Sequence, residues 1–126
     1  MIGQFVAVGA GAALGAWLRW GLSAWLNPRV PQYPLGTLAA NLVGGYLVGI
    51  AIAFFIARTD LAPEWRLFVV TGLLGGLTTF STFSAEVTEH LLRGGYGHAL
   101  VLAFAHLAGS LALTAAGFAT FRALTT

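Results

Sequence analysis

From Thr71 to Ser84 the chain reads Thr71-Gly72-Leu73-Leu74-Gly75-Gly76-Leu77-Thr78-Thr79-Phe80-Ser81-Thr82-Phe83-Ser84, with no charged residue. Five of the eight residues after Gly76 are Thr or Ser. The tripeptide Thr-Phe-Ser occurs twice in succession, and its three-residue step keeps Phe80 and Phe83 on one helical face, with Thr79 and Thr82 beside them and Ser81 and Ser84 beyond. Such an aromatic pair is ordinarily core. An aromatic ring also has a positive edge, and two edges flanked by hydroxyl donors suit a small dehydrated anion. A full positive charge there would bind the anion too tightly to let it pass. Gly75-Gly76 is poor helix material, at about 1 kcal/mol per Gly relative to Ala, so a break in mid-segment is expected. Hydroxyls satisfy backbone groups freed by a break, and a broken helix at membrane depth is tolerated only inside protein or beside water. Freed carbonyls there suit a cation.

Other residues join this set. Arg19 lies about seven residues inside the end of the first apolar stretch, ~10 Å deep at 1.5 Å per residue. Its long stem permits snorkelling to the interface, and its charge equally suits a vestibule that attracts anions. Asn41 lies ~9 Å deep from the same side in the second stretch. Its amide suits an interhelical hydrogen bond or a polar path, and the depth it shares with Arg19 favours the path. His106 and Ser110 share a face of the fourth stretch, with Thr114 one turn on, a pattern that fits interhelical hydrogen bonding. A Ser–His nucleophile is disfavoured, because no Asp orients the His and both residues sit on one helix. Glu86 is placed for a pore mouth or an Arg partner, and Glu89 for the interface. Gly11 with Gly15, and Gly45 with Gly49, are spaced for close helix packing. No His or carboxylate spacing matches a metal site.

The elements that must position these residues are four apolar stretches: Ile2 to Leu26, Leu35 to Ala57, about Trp65 to Leu92, and Ala99 to Phe121. Each reaches or approaches the ~20 residues that cross ~30 Å of hydrocarbon as a helix. Alternating strands of ~10 residues, as in a membrane barrel, are missing. The connections 27–31, 58–64 and 93–97 each carry Pro or Gly together with charged residues and are too short for a domain, so residues 1–126 read as one four-span transmembrane unit.

Composition agrees. Charged residues make up 8% against roughly 25% in soluble domains, too few to cover a soluble surface. The pI near 9.7 rests on six Arg scattered singly and no Lys, which excludes a basic patch and argues against nucleic acid. Absent cysteine removes disulfides and thiol ligation. The first stretch lacks a basic n-region and a cleavage site and reads as a retained span. With four spans, Arg58, Arg66 and Arg122 fall on one side and Arg19, Arg29 and Arg93 on the other. This balance gives no preferred orientation and is compatible with insertion both ways round.

The chain resembles the CrcB/Fluc fluoride channels over essentially its whole length. The resemblance is carried by Gly11-Ala12-Ala13-Leu14-Gly15-Ala16-Trp17-Leu18-Arg19, by Gly36-Thr37-Leu38-Ala39-Ala40-Asn41 with Gly44 and Gly49, and above all by Gly75 through Phe83. It implies an all-α membrane protein whose third helix is broken mid-membrane, assembled as an antiparallel dual-topology homodimer with two fluoride paths. It implies passive fluoride export across the plasma (inner) membrane, with no catalysis and no organic cofactor. Phe80, Phe83 and Asn41 would line the pores. Ser81 and Thr82 would form a hydroxyl track joined by Ser110, and Arg19 would stand at a vestibule. The backbone carbonyls of Gly75 and Thr78, from both subunits, would hold a structural Na+ at the dimer interface. Trp20 departs from the family's usual Tyr, and the resemblance gives His106 no role. Two other classes are a small proton-coupled multidrug exporter and a non-transporting membrane scaffold. The first needs a carboxylate in the first span, where this chain has only Arg19.

Overall fold

The computed structural model describes residues 1–126. Four helical runs are long and apolar enough to cross a membrane: Ile2–Arg29, Leu35–Ala57, Pro63–Leu92 and Tyr96–Thr125. The first is an α-helix, Ile2–Leu26, ending in a single 3-10 turn over Asn27–Arg29. The fourth extends a few residues past the apolar stretch at both ends, because polar residues at a helix end still gain backbone hydrogen bonds. Only 18 of 126 residues are buried, while Phe5, Trp17, Trp25, Leu100, Phe104 and Leu111 lie open on the outside. An exterior this apolar belongs in hydrocarbon, so this is a multi-pass membrane protein.

Glycine sets how closely the helices approach. A methyl group on Gly11 would run into the Phe68 carbonyl, and one on Gly15 into the Leu73 carbonyl, so the first and third helices touch backbone to backbone. Gly49 and Gly117 do the same between the second and fourth, where the Thr114 hydroxyl also donates to the Gly45 carbonyl at 2.9 Å. This is the packing role expected for the paired glycines. Between the first two helices, Asn27 Oδ1 accepts the Gly36 N–H at 2.7 Å, which satisfies a donor that the second helix leaves free at its start.

The third span is irregular, as its composition requires, but in a different place from the expected one. It opens as Pro63–Arg66, widens to π-helical over Leu67–Leu74, tightens over Gly75–Leu77 and then stops. Thr78 (φ −89°, ψ 155°) and Thr79 (φ −152°, ψ 121°) are extended, and a new helix runs Phe80–Leu92. Gly75 and Gly76 therefore stay helical, and the break falls two residues later. Gly76 serves contact instead: a side chain there would strike the backbone of Ala12. The two threonines extend at little cost because β-branched residues suit extended backbone.

In the connection after the second helix, Arg58 and Asp60 form a two-pronged pair, each contact 3.0 Å. The guanidinium hydrogen bond holds the Asp60 carboxyl below its usual range. The pair is solvent-exposed and contributes little to stability.

Candidate functional site: an uncharged cleft at the helix break

The break leaves backbone groups without helical partners, and Asn41 of the second helix takes them. The Thr79 N–H donates to Asn41 Oδ1 at 2.7 Å, and Asn41 Nδ2 donates to the Thr79 carbonyl at 3.0 Å. The amide thus pairs with Thr79 as a neighbouring strand would. This pairing fixes which amide atom is oxygen, since the N–H must meet oxygen and the carbonyl must meet nitrogen. The second Nδ2 hydrogen faces His106 Nδ1 at 3.0 Å. Nδ1 is therefore the acceptor, and in the neutral imidazole the ring proton sits on Nε2. His106 is 3% exposed, and Nε2 has no partner within the chain.

The restart of the helix is capped from within. Thr79 Oγ1 accepts the Thr82 N–H at 3.2 Å and lies 3.2 Å from both the Ser81 and Thr82 hydroxyls. This is an N-cap, and it engages Thr79, Ser81 and Thr82 with one another. Two carbonyls lose their usual donors as a result. Four residues beyond Gly75, the Thr79 N–H goes to Asn41; four residues beyond Thr78, the Thr82 N–H goes to the Thr79 hydroxyl. Neither carbonyl appears among the backbone hydrogen bonds that lie outside regular helix. The Gly76 carbonyl accepts from Arg19 Nε at 3.1 Å.

Beside the break lies a cleft of about 410 Å³. Asn41, Thr78, Thr79, Phe80, Phe83, His106 and Ser110 line it along with Gly75 and aliphatic residues of the second, third and fourth helices, and no Asp, Glu, Lys or Arg is among them. The rings of Phe80 and Phe83 meet edge-on, with centroids 5.4 Å apart and planes at 74°. They differ in setting: Phe83 is 6% exposed and packs 4.5 Å from the His106 ring, whereas Phe80 is 72% exposed. The cleft is thus walled by two aromatic rings, hydroxyl residues and the His106 ring, with no Asp, Glu, Lys or Arg.

Of the residues singled out from the sequence, Asn41, Phe80, Phe83, Ser110, Gly75 and Thr78 meet at this cleft. Ser81, Thr82 and Arg19 do not line it: the first two belong to the cap, and Arg19 reaches the third helix at Gly76. Glu86 takes no arginine partner. Its Oε2 accepts from the buried Thr37 hydroxyl at 2.7 Å, and its Oε1 is buried without a partner. Glu89 lies 3.7 Å from Arg93 on the exposed face. His106 makes the expected interhelical hydrogen bond, but the free Nε2 beside it had no trace in the spacing. The only available hint was that it is the single ionisable residue in an otherwise uncharged stretch.

A family model described as CrcB-like protein, Camphor Resistance (CrcB), matches residues 6–118. The chain belongs to the CrcB-like family. Among curated relatives, a Thiobacillus denitrificans protein named "Fluoride-specific ion channel FluC" is 60% identical over 120 residues, covering 95% of this chain and 97% of the relative. A Cupriavidus taiwanensis protein of the same name is 60% identical, with 95% of each chain covered. A third, from Burkholderia cenocepacia, is 59% identical over 123 residues, covering 98% and 96%. These matches cover nearly the whole chain, including the stretches that build the cleft.

Proposed function

We propose that this chain is the subunit of a fluoride channel that lets the anion leave the cell passively across the plasma (inner) membrane. The observation that carries the reading is the cleft at the helix break, a mostly apolar space lined by two phenylalanine rings and a few hydroxyl residues, with no Asp, Glu, Lys or Arg among its walls. Fluoride is small and strongly hydrated, so a path must replace its water with donors. In this reading the Ser110 hydroxyl and the edges of Phe80 and Phe83 supply them. Without a formal positive charge the ion is held weakly enough to move on. In this reading Asn41 acts on the path by holding Thr79 and the His106 ring in place. Ser81 and Thr82 continue the hydroxyl track from the cap, and Arg19 draws anions to the vestibule through the guanidinium hydrogens that Gly76 does not use. Relatives named as fluoride-specific channels, similar over nearly the whole chain, support it.

The assembly in this reading is an antiparallel homodimer with two paths. The balanced arginines fit insertion in both orientations, and the exposure of Phe80 beside the cleft leaves a side for a second copy to complete. Gly75 and Thr78 suit a sodium ion shared across that interface, because their carbonyls have lost their helical donors and alkali cations take oxygen ligands of this kind in broken helices. Such an ion would supply a fixed charge that holds the broken segments together. Liposomes containing the purified protein test the function: fluoride efflux should exceed chloride efflux by orders of magnitude. Slow and equal leakage of the two anions would sink the proposal.

A further inference from the structure

The turn between the third and fourth helices brings two imidazoles together outside the cleft. Gly94 takes the left-handed conformation (φ 77°), and the Gly95 N–H closes on the His90 carbonyl at 2.8 Å. His90, near the end of one helix, and His98, in the first turn of the next, then stand with ring centroids 5.6 Å apart and planes tilted by 34°. Tyr33, from the other connection at this end, closes the third side. Its ring lies 5.2 Å from His98 and 6.3 Å from His90, and its hydroxyl is 2.8 Å from His98 Nδ1.

We propose that His90 and His98 form a two-histidine site for a borderline divalent cation of the Zn2+ class, oriented by Tyr33. Three observations carry this. First, the spacing fits. With metal–nitrogen bonds of ~2.0–2.1 Å and about 1.1 Å from ring nitrogen to ring centre, two imidazoles on a tetrahedral ion put their centroids roughly 5.2 Å apart. The observed separation differs by a few tenths of an ångström. Second, the two rings border one space. From the point where a Cβ on Gly95 would sit, His90 Nδ1 is 3.6 Å away and His98 Cδ2, the carbon bonded to Nε2, is 3.9 Å away. Third, the outer hydrogen bond is of the kind that metal-bound histidines make. When His98 Nδ1–H donates to the Tyr33 oxygen, Nε2 keeps its lone pair for a ligand and the ring cannot rotate freely.

Glu86 and Glu89 line a small cavity with His90, and Arg93 there is drawn to Glu89. Water completes the coordination, since no third His or carboxylate is grouped with the pair. Imidazole selects zinc, nickel and copper over magnesium and calcium, which prefer oxygen. A bound ion would tie the turn at 93–95 to Tyr33, joining the two connections at this end of the bundle. The site is independent of what passes through the cleft.

Titration calorimetry of the full-length protein in detergent, with ZnCl2 and then MgCl2, tests it at neutral pH. Wild type should bind one Zn2+ per chain and no Mg2+. His90→Ala and His98→Ala should each weaken Zn2+ binding at least tenfold. Tyr33→Phe keeps both ligands and should weaken it about tenfold, the usual effect of losing an outer hydrogen bond. Absence of Zn2+ binding by wild type overturns the proposal, as does binding that both histidine variants retain unchanged. Should those variants misfold, Co2+ added to wild type decides: visible bands of nitrogen-ligated tetrahedral cobalt support the site, and a spectrum of aqueous cobalt alone overturns it.

Discussion

Replacing Asn41 with Leu is the sharpest perturbation of the break. The shapes are similar, but the substitution removes all three hydrogen bonds of the amide and strands the Thr79 N–H, the Thr79 carbonyl and His106 Nδ1. Two estimates bracket the cost. Hydrogen bonds between membrane helices average ~0.6 kcal/mol, because the unfolded chain in the bilayer also finds partners, which gives about 2 kcal/mol for three. Leaving buried groups unsatisfied costs ~1–3 kcal/mol each. The lower end applies where water from the cleft reaches Thr79, which gives about 3 kcal/mol. A loss of 2–3 kcal/mol lowers the melting temperature of a chain this size by roughly 8–12 °C. The assay is thermal unfolding in detergent, followed by fluoride efflux on the fraction that reconstitutes. A Leu variant that melts within about 2 °C of wild type would falsify the claim that this amide holds the break together.

Other expectations follow from the same geometry. Phe80→Ile and Phe83→Ile should each slow fluoride efflux about tenfold, equivalent to ~1.4 kcal/mol of barrier, while the protein stays folded; unchanged flux in both would remove the rings from the path. Gly15→Ala should lower stability by about 1–3 kcal/mol, the usual cost of overpacking, because the new methyl meets the Leu73 carbonyl and the Leu77 amide nitrogen. Gly9→Ala is its control, since nothing lies within 4 Å of that position, and equal melting of the two would refute backbone contact between the first and third helices. Exchanging Na+ for a bulky organic cation should lower the melting temperature and re-adding Na+ should restore it, with ~2.7 kcal/mol at stake when sodium exceeds its dissociation constant a hundredfold. Identical melting curves in the two media would argue against an ion on the Gly75 and Thr78 carbonyls.

Much of this protein is legible without coordinates. Hydrophobic length is a local property, so four runs of apolar residues and three short polar connections determine a four-span membrane protein. Hydroxyls crowded after a glycine pair similarly announce an interruption in the third span, and the string from Gly75 to Phe83 marks the family. Which atoms meet across the bundle is a different kind of fact. Asn41 finds Thr79 38 positions along the chain and His106 65 positions along, and no periodicity encodes partners at that distance. The break settles on Thr78–Thr79 because Gly76 is needed against Ala12 and Asn41 stands ready to satisfy Thr79. Arg19 turns to the Gly76 carbonyl, and the His106 proton falls on Nε2, for the same reason. Residue types supply donors and acceptors, but only helices already packed decide which of them must satisfy each other away from water.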